Sequence, residues 1–172
     1  MGRKAKVFIA ALVAAAGIVA VNWFHVNNAA SEAGKYHDDV SAHAYYQFGV
    51  VPDSVVFDLW KVGWRTSQAE VLGVFLRFSD KMKDRKFREV RLAYRGETKF
   101  ILSGKDFRDI GREYSYQNPV YIVRTFPEKL RTPDGKKAFS TWSGGLLGVL
   151  GRQMEDVNEL GQRWYLGDML DN

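Results

Sequence analysis

The stretch VFIAALVAAAGIVAV, residues 7 to 21, carries no charge and follows directly on MGRKAK, with its Arg3, Lys4 and Lys6. No other feature constrains the folding of this chain as tightly. A run this apolar must leave water, either into a protein core or into a bilayer. A basic segment ahead of it is the pattern of an export signal or a signal anchor. The apolar character continues through Trp23 and Phe24 to Val26, broken by Asn22 and His25. A helix over 7–26 has about the 20 residues that cross a hydrocarbon core of roughly 30 Å. Trp23 and Phe24 would then lie at an interface, where amphipathic rings are favoured. The basic end predicts a cytoplasmic N-terminus, and hence a single-pass inner-membrane protein with a periplasmic or extracytoplasmic domain.

Small residues at Ala29, Ala30, Ser31 and Ala33 offer a processing site, which would release a secreted or periplasmic soluble protein. The best-spaced cleavage, after Ala30, puts the larger Asn28 where a small residue is preferred. Retention as an anchor is therefore the first expectation and cleavage the alternative. The chain divides on this reading into an anchor or signal (1–26), a stalk or juxtamembrane helix (27–52) and an exported α+β domain (53–172).

The chain has no cysteine. Disulfides, thiolate metal sites, a cysteine nucleophile and lipid attachment at cysteine are excluded, so the domain must be held by its own core. The net charge of +5 is unevenly spread. Residues 77–137 hold 17 basic and 9 acidic side chains, whereas 31–76 hold 3 and 6, and 138–172 hold 2 and 5. A basic middle between two acidic flanks suggests an anionic partner, lipid or polymer, although export argues against nucleic acid.

Several elements can be read along the exported part. Residues 31–48 suggest a short helix or stalk, and SVVFDLWKVGW a strand. Ser67-Gln-Ala-Glu70 is a capping box opening an amphipathic helix over about 67–85, with Val71, Phe75, Phe78 and Met82 on one stripe. Next comes a hairpin. A three-residue loop at Gly96-Glu97-Thr98 pairs Tyr94 with Phe100 and Leu92 with Leu102, keeping the apolar residues on one face. That register puts Arg91, Arg95 and Lys99 together on the other face, as a candidate site for an anionic partner. Lys105 to Tyr114 reads as a short helix, 120–126 as a strand, and Thr132-Pro-Asp-Gly135 as a turn. A long helix is expected over 141–166, capped by Ser140 or Thr141, with Leu147, Leu150, Met154, Val157 and Trp164 on its apolar stripe. The order predicts one small α+β domain: an antiparallel sheet packed by two long amphipathic helices.

Gly144, Gly148 and Gly151 fall on one side of that last helix. Each interior glycine costs about 1 kcal/mol against alanine, so the stripe predicts close packing, or else a docking face. The same segment is no nucleophile turn, because Ser143 lacks the glycine two residues ahead, and no phosphate loop, because no lysine follows. His37, Asp38, Asp39 and His43 are the nearest approach to a metal cluster, but only Asp39 and His43 share a helical face. Asp109 and Glu113 lie beside Arg108 and Arg112, as in ordinary ion pairing. No catalytic residue, metal or cofactor is therefore assigned. The expected function is a non-catalytic envelope binding or assembly accessory with a protein partner. The alternatives are an inhibitor or immunity protein against an exported enzyme or toxin, and a carboxylate enzyme acting on an envelope glycan.

Overall fold

The structure is a computed structural model describing residues 3–170, the side chains of Arg3, Leu146 and Leu147 excepted. Helix α1 (Arg3–Asn22) passes through a π-helical turn (Trp23–Asn27) into α2 (Asn28–Gly34), all with right-handed helical backbone. The first part of this rod stands clear of the rest, with none of its most apolar 18-residue stretch buried, and the whole helix Lys4–Gly34 is long and apolar enough to cross a membrane. The second part is built into the domain. Val26, Ala30 and Ala33 recur at the spacing of one helical face and are fully buried in the same core as Val55, Phe57 and Phe75. At its end, the Arg77 guanidinium donates to the Ala33 carbonyl at 3.0 Å, a cation on an orphan acceptor of the last turn.

Five strands follow in the order β1-β2-β3-β4-β5. They are β1 (Val40–Gln47), β2 (Val51–Val62), β3 (Glu89–Tyr94), β4 (Glu97–Ser103) and the short β5 (Leu130–Arg131). The α+β single domain is as expected, but the sheet is mixed. β2 and β3 run parallel, linked by the crossover helix α3 (Gln68–Met82), and the other neighbours are antiparallel. α3 opens on the expected capping box of Ser67 and Glu70. Its stripe meets the sheet in an aromatic core, with Phe57 5.2 Å from Phe75 and 5.1 Å from Phe78 between ring centroids. α4 (Gly104–Glu113), capped by the Ser103 hydroxyl, crosses close to its neighbours. A Cβ on Gly104 would stand 1.8 Å from the Phe87 carbonyl oxygen, and one on Gly111 2.4 Å from that of Ser79, so only glycine fits either place.

Four expectations are corrected. Residues 40–47 form a sheet strand rather than a stalk, because Val40, Ala42, Ala44 and Tyr46 alternate into the core with period two. Segment 27–52 thus contributes α2 and β1 to the fold. Residues 120–126, expected as a strand, belong mainly to helix α5 (Pro119–Thr125). The Asn118 side chain accepts from the Val120 amide and Pro119 takes the first helical position, which outweighs the β-branched residues behind them.

The third correction is to the β3–β4 hairpin, which turns on two residues, Arg95 (φ 48°) and Gly96 (φ 87°). Left-handed backbone at both positions suits the strand twist. An irregularity then leaves Lys99 as an extra residue between the pairs Ala93↔Thr98 and Leu92↔Phe100. This bulge reconciles a two-residue turn with a single apolar face, a solution the expected register did not include.

The fourth concerns the C-terminal helix, which starts at α6 (Leu146–Gly161) and runs through a π-helical turn (Gln162–Leu166) to α7 (Gly167–Leu170). Gly144, at φ 134°, is outside helical backbone and ends any extension toward Thr141. The preceding segment folds back, with Trp142 donating its indole N–H to Asp156 at 2.6 Å and lying 4.8 Å from the Arg152 guanidinium. The buried face carries Val157, Leu160, Trp164 and Tyr165, while Leu150 and Met154 of the expected stripe are exposed. The side chain of Leu147 lies outside the described residues.

Candidate functional site

β1 is an edge strand, and such a strand carries backbone donors that need partners. The N-terminal rod supplies them. Asn27 Oδ1 accepts from the Ala44 amide at 3.0 Å and Asn22 Oδ1 from the Tyr46 amide at 2.7 Å. Asn22 Nδ2 donates to the carbonyls of Ile18 and Gly49, both at 2.8 Å. Asn22, which interrupts the apolar run, and Asn27, which ends it, are thus the fittings that hold the rod to the sheet edge.

Between rod and sheet runs an open groove of about 540 Å³. Ile18, Val19 and Trp23 form one wall, and His43, Tyr45 and Trp60 the other. Its lining is almost wholly apolar, and Trp23 and Trp60 remain about half exposed. The sheet-side wall is fixed by the fully buried Asp58, whose carboxylate accepts from the Tyr45 hydroxyl at 2.9 Å and the Trp60 indole at 3.1 Å. The Gly96 amide adds a third donor at 3.0 Å to the same oxygen, tying the β3–β4 turn to β2. Burial, and then the Asp58 charge, push the Tyr45 hydroxyl well above its ordinary pKa of 10.0, so it stays protonated. His43 stands edge-on to Trp60 with ring centroids 6.1 Å apart. The groove therefore offers shape and apolar surface, and the Asp58 carboxylate behind its wall is spent on structure.

The residues singled out from the sequence lie elsewhere. Arg91 pairs with Glu89 at 2.7 Å, and Lys99 lies between Glu97 and Asp168, each at 2.9 Å. Arg95 projects from the turn over the Tyr94 ring. Arg91 and Lys99 are thus engaged by carboxylates within the chain, with Lys99 the extra residue of the bulge and Arg95 in the turn itself. Gly144, Gly148 and Gly151 meet nothing within 4 Å of an added Cβ, so no other part of the described chain packs on them. Gly148 and Gly151 lie on an outward side of α6, and Gly144 precedes the helix. Among the described residues no group of three or more histidines and carboxylates could hold a metal ion. His37 approaches Glu70 at 3.6 Å, and Asp109 is paired with Lys105 at 2.6 Å.

Sequence reasoning missed the groove because its walls come from segments far apart in the chain. The available signal was the pair Asn22 and Asn27, polar and five residues apart in an apolar helix. No protein-family model, curated protein or solved structure matches the chain.

Proposed function

We propose that this protein is a non-catalytic, membrane-anchored binding or assembly module of the cell envelope. Its N-terminal helix is retained, its N-terminus is cytoplasmic, and its domain lies on the extracytoplasmic side of the inner membrane. The observation that carries the reading is the burial of Asn22, Val26, Asn27 and Ala30 within the fold. Cleavage after Ala30 would strip these residues from the core and unpair the Ala44 and Tyr46 amides. Anchor and domain are therefore one folded unit, and the groove between them is held at a set level at the membrane surface. An apolar groove with two half-exposed tryptophans suits an apolar segment of an envelope protein partner, since such rings bury large area at low entropic cost.

The test is the intact mass of the chain recovered from membranes, combined with photo-crosslinking from position 60. The full-length chain, resistant to alkaline extraction and crosslinked to one stoichiometric protein, is the expected result. A mature chain beginning near residue 31 would overturn the anchored reading. Turnover of an envelope glycan, abolished by a single carboxylate substitution, would overturn the non-catalytic one.

A further inference from the structure

The β1–β2 hairpin reaches down beside the N-terminal helix. Its turn is Gln47-Phe48-Gly49-Val50, and Gly49 packs so close to the helix that an added Cβ would lie 3.3 Å from Ile18 Cγ2. Val50 and Pro52 share a crevice with Ala14, Gly17 and Val21. The hairpin tip thus lies level with Ile18, one helical turn or about 6 Å before Asn22.

That level matters because the free helix is short. From Val7, after the last basic residue, to Val21 is about 22 Å at 1.5 Å per residue. A hydrocarbon core is roughly 30 Å thick. The residues that would complete the span, Asn22 to Ala30, are partly buried against the sheet. The bilayer must therefore rise around the base of the domain, and the hairpin tip is the part of the domain that it meets.

The tip is built for that environment. Phe48 and Val50 are 85% and 59% exposed, and Trp23 and Phe24 on the adjoining helix are exposed as well. Phe48 has φ 55°, a left-handed backbone at which asparagine, aspartate or glycine is preferred in such a turn. An aromatic residue there works against local preference and gains nothing from packing within the chain. Much of the tip's backbone is paired within the chain: Gly49 N donates to the Tyr46 carbonyl, Val50 N to that of Gln47, and the Gly49 carbonyl accepts from Asn22. Internal satisfaction of backbone groups is what a lipid environment demands. From Phe48 to Pro52 there is no charge, and the first, Asp53, is paired with Arg88.

We infer that the Phe48–Val50 tip is a second membrane-inserted element, entering the lipid at the headgroup–acyl boundary so that the domain is seated on the bilayer at two points. The inference rests on the anchored reading above, and one experiment separates the two. The chain has no native cysteine, so Val13→Cys, Phe48→Cys, Val50→Cys and Trp64→Cys each accept a single nitrobenzoxadiazole label. The labelled full-length proteins are placed in phosphatidylethanolamine–phosphatidylglycerol vesicles, with or without lipids spin-labelled along the acyl chain.

The expected result is loss of most emission from position 13 with deep spin labels and from positions 48 and 50 with shallow ones. Position 64, exposed just beyond the end of β2 that lies away from the tip, should keep its emission and a red-shifted spectrum. Quenching at 13 with water-like emission at both 48 and 50 overturns the tip insertion and leaves the anchor standing. No quenching at 13 overturns the anchor, and the inference with it.

Discussion

Replacing Asn27 by alanine tests whether the N-terminal rod is part of the fold or merely attached to it. The side chain is 7% exposed, and its oxygen accepts from the Ala44 amide at 3.0 Å on the open edge of β1. Removing the acceptor leaves a buried amide without a partner, at a cost of about 1–3 kcal/mol. Alanine returns up to ~0.7 kcal/mol through its better helix propensity. With that full gain the net loss is about 0.3–2.3 kcal/mol, which for a domain of this size lowers the melting temperature by roughly 1–9 °C. The matched control is Asn28→Ala, next along the same helix and exposed, its side-chain amide donating to the Glu32 carboxylate at 3.5 Å. It keeps the propensity gain and loses no buried bond, so its melting temperature should stay level or rise. Both variants are read in detergent by tryptophan fluorescence, with the fully buried Trp164 as reporter of the core. An Asn27→Ala protein as stable as Asn28→Ala would refute the edge-fitting argument, and with it the main support for a retained anchor.

Glycine substitutions should sort by what surrounds them. Gly148→Ala, on an open helical face, is expected to stabilise the protein by up to about 1 kcal/mol, whereas Gly104→Ala, aimed at the Phe87 carbonyl, should prevent native folding; urea unfolding reads both. The pKa of Glu89 is raised by burial but brought below its ordinary 4.5 overall by hydrogen bonds from Arg91 and Ser54 and by the charges of Arg91 and Arg88. Its stabilising contribution is present above pH 4.5 and lost as pH falls through the lowered folded value. Glu89→Gln should therefore be less stable at neutral pH, with the gap closing in acid. Asp156 behaves oppositely. Burial, then Glu159, Glu128 and Glu155, raise it above 3.8 against the Trp142 hydrogen bond, so its contribution is complete below 3.8 and lost as pH rises through the folded value. Asp156→Asn keeps an acceptor for Trp142 and should match or exceed the parent at neutral pH, with the advantage gone in acid. A denaturant midpoint measured across pH decides both.

Some of the protein is legible along the chain because its causes are local. The charge-free run after Arg3, Lys4 and Lys6 marks the apolar helix, since transfer of such a segment from water does not depend on its neighbours. Ser67 and Glu70 announce α3, since both partners of the capping box lie within one turn. The period of Val71, Phe75, Phe78 and Met82 names the face that it buries. The α+β class follows from elements of this kind taken in order.

Other features depend on which segments meet. Residues 120–126 are rich in β-branched side chains, yet the cap at Asn118 and the packing of α5 against α6 make most of them helical. Lys99 could be placed in the hairpin only by knowing that a bulge reconciles its turn with its apolar face. Gly144, Gly148 and Gly151 invite a packing partner by their spacing, yet Gly144 falls before the helix, and Gly148 and Gly151 face outward because α6 buries the Val157–Trp164 side instead. The groove leaves only a faint trace in the sequence, the pair Asn22 and Asn27, since its two walls are joined where these side chains accept from the amides of a strand about 20 residues further on. Composition and period determined that this chain has an apolar N-terminal helix and an α+β core. Only the tertiary structure decided that the two are one body, because burial and hydrogen bonding across a sheet edge depend on which distant segments meet there.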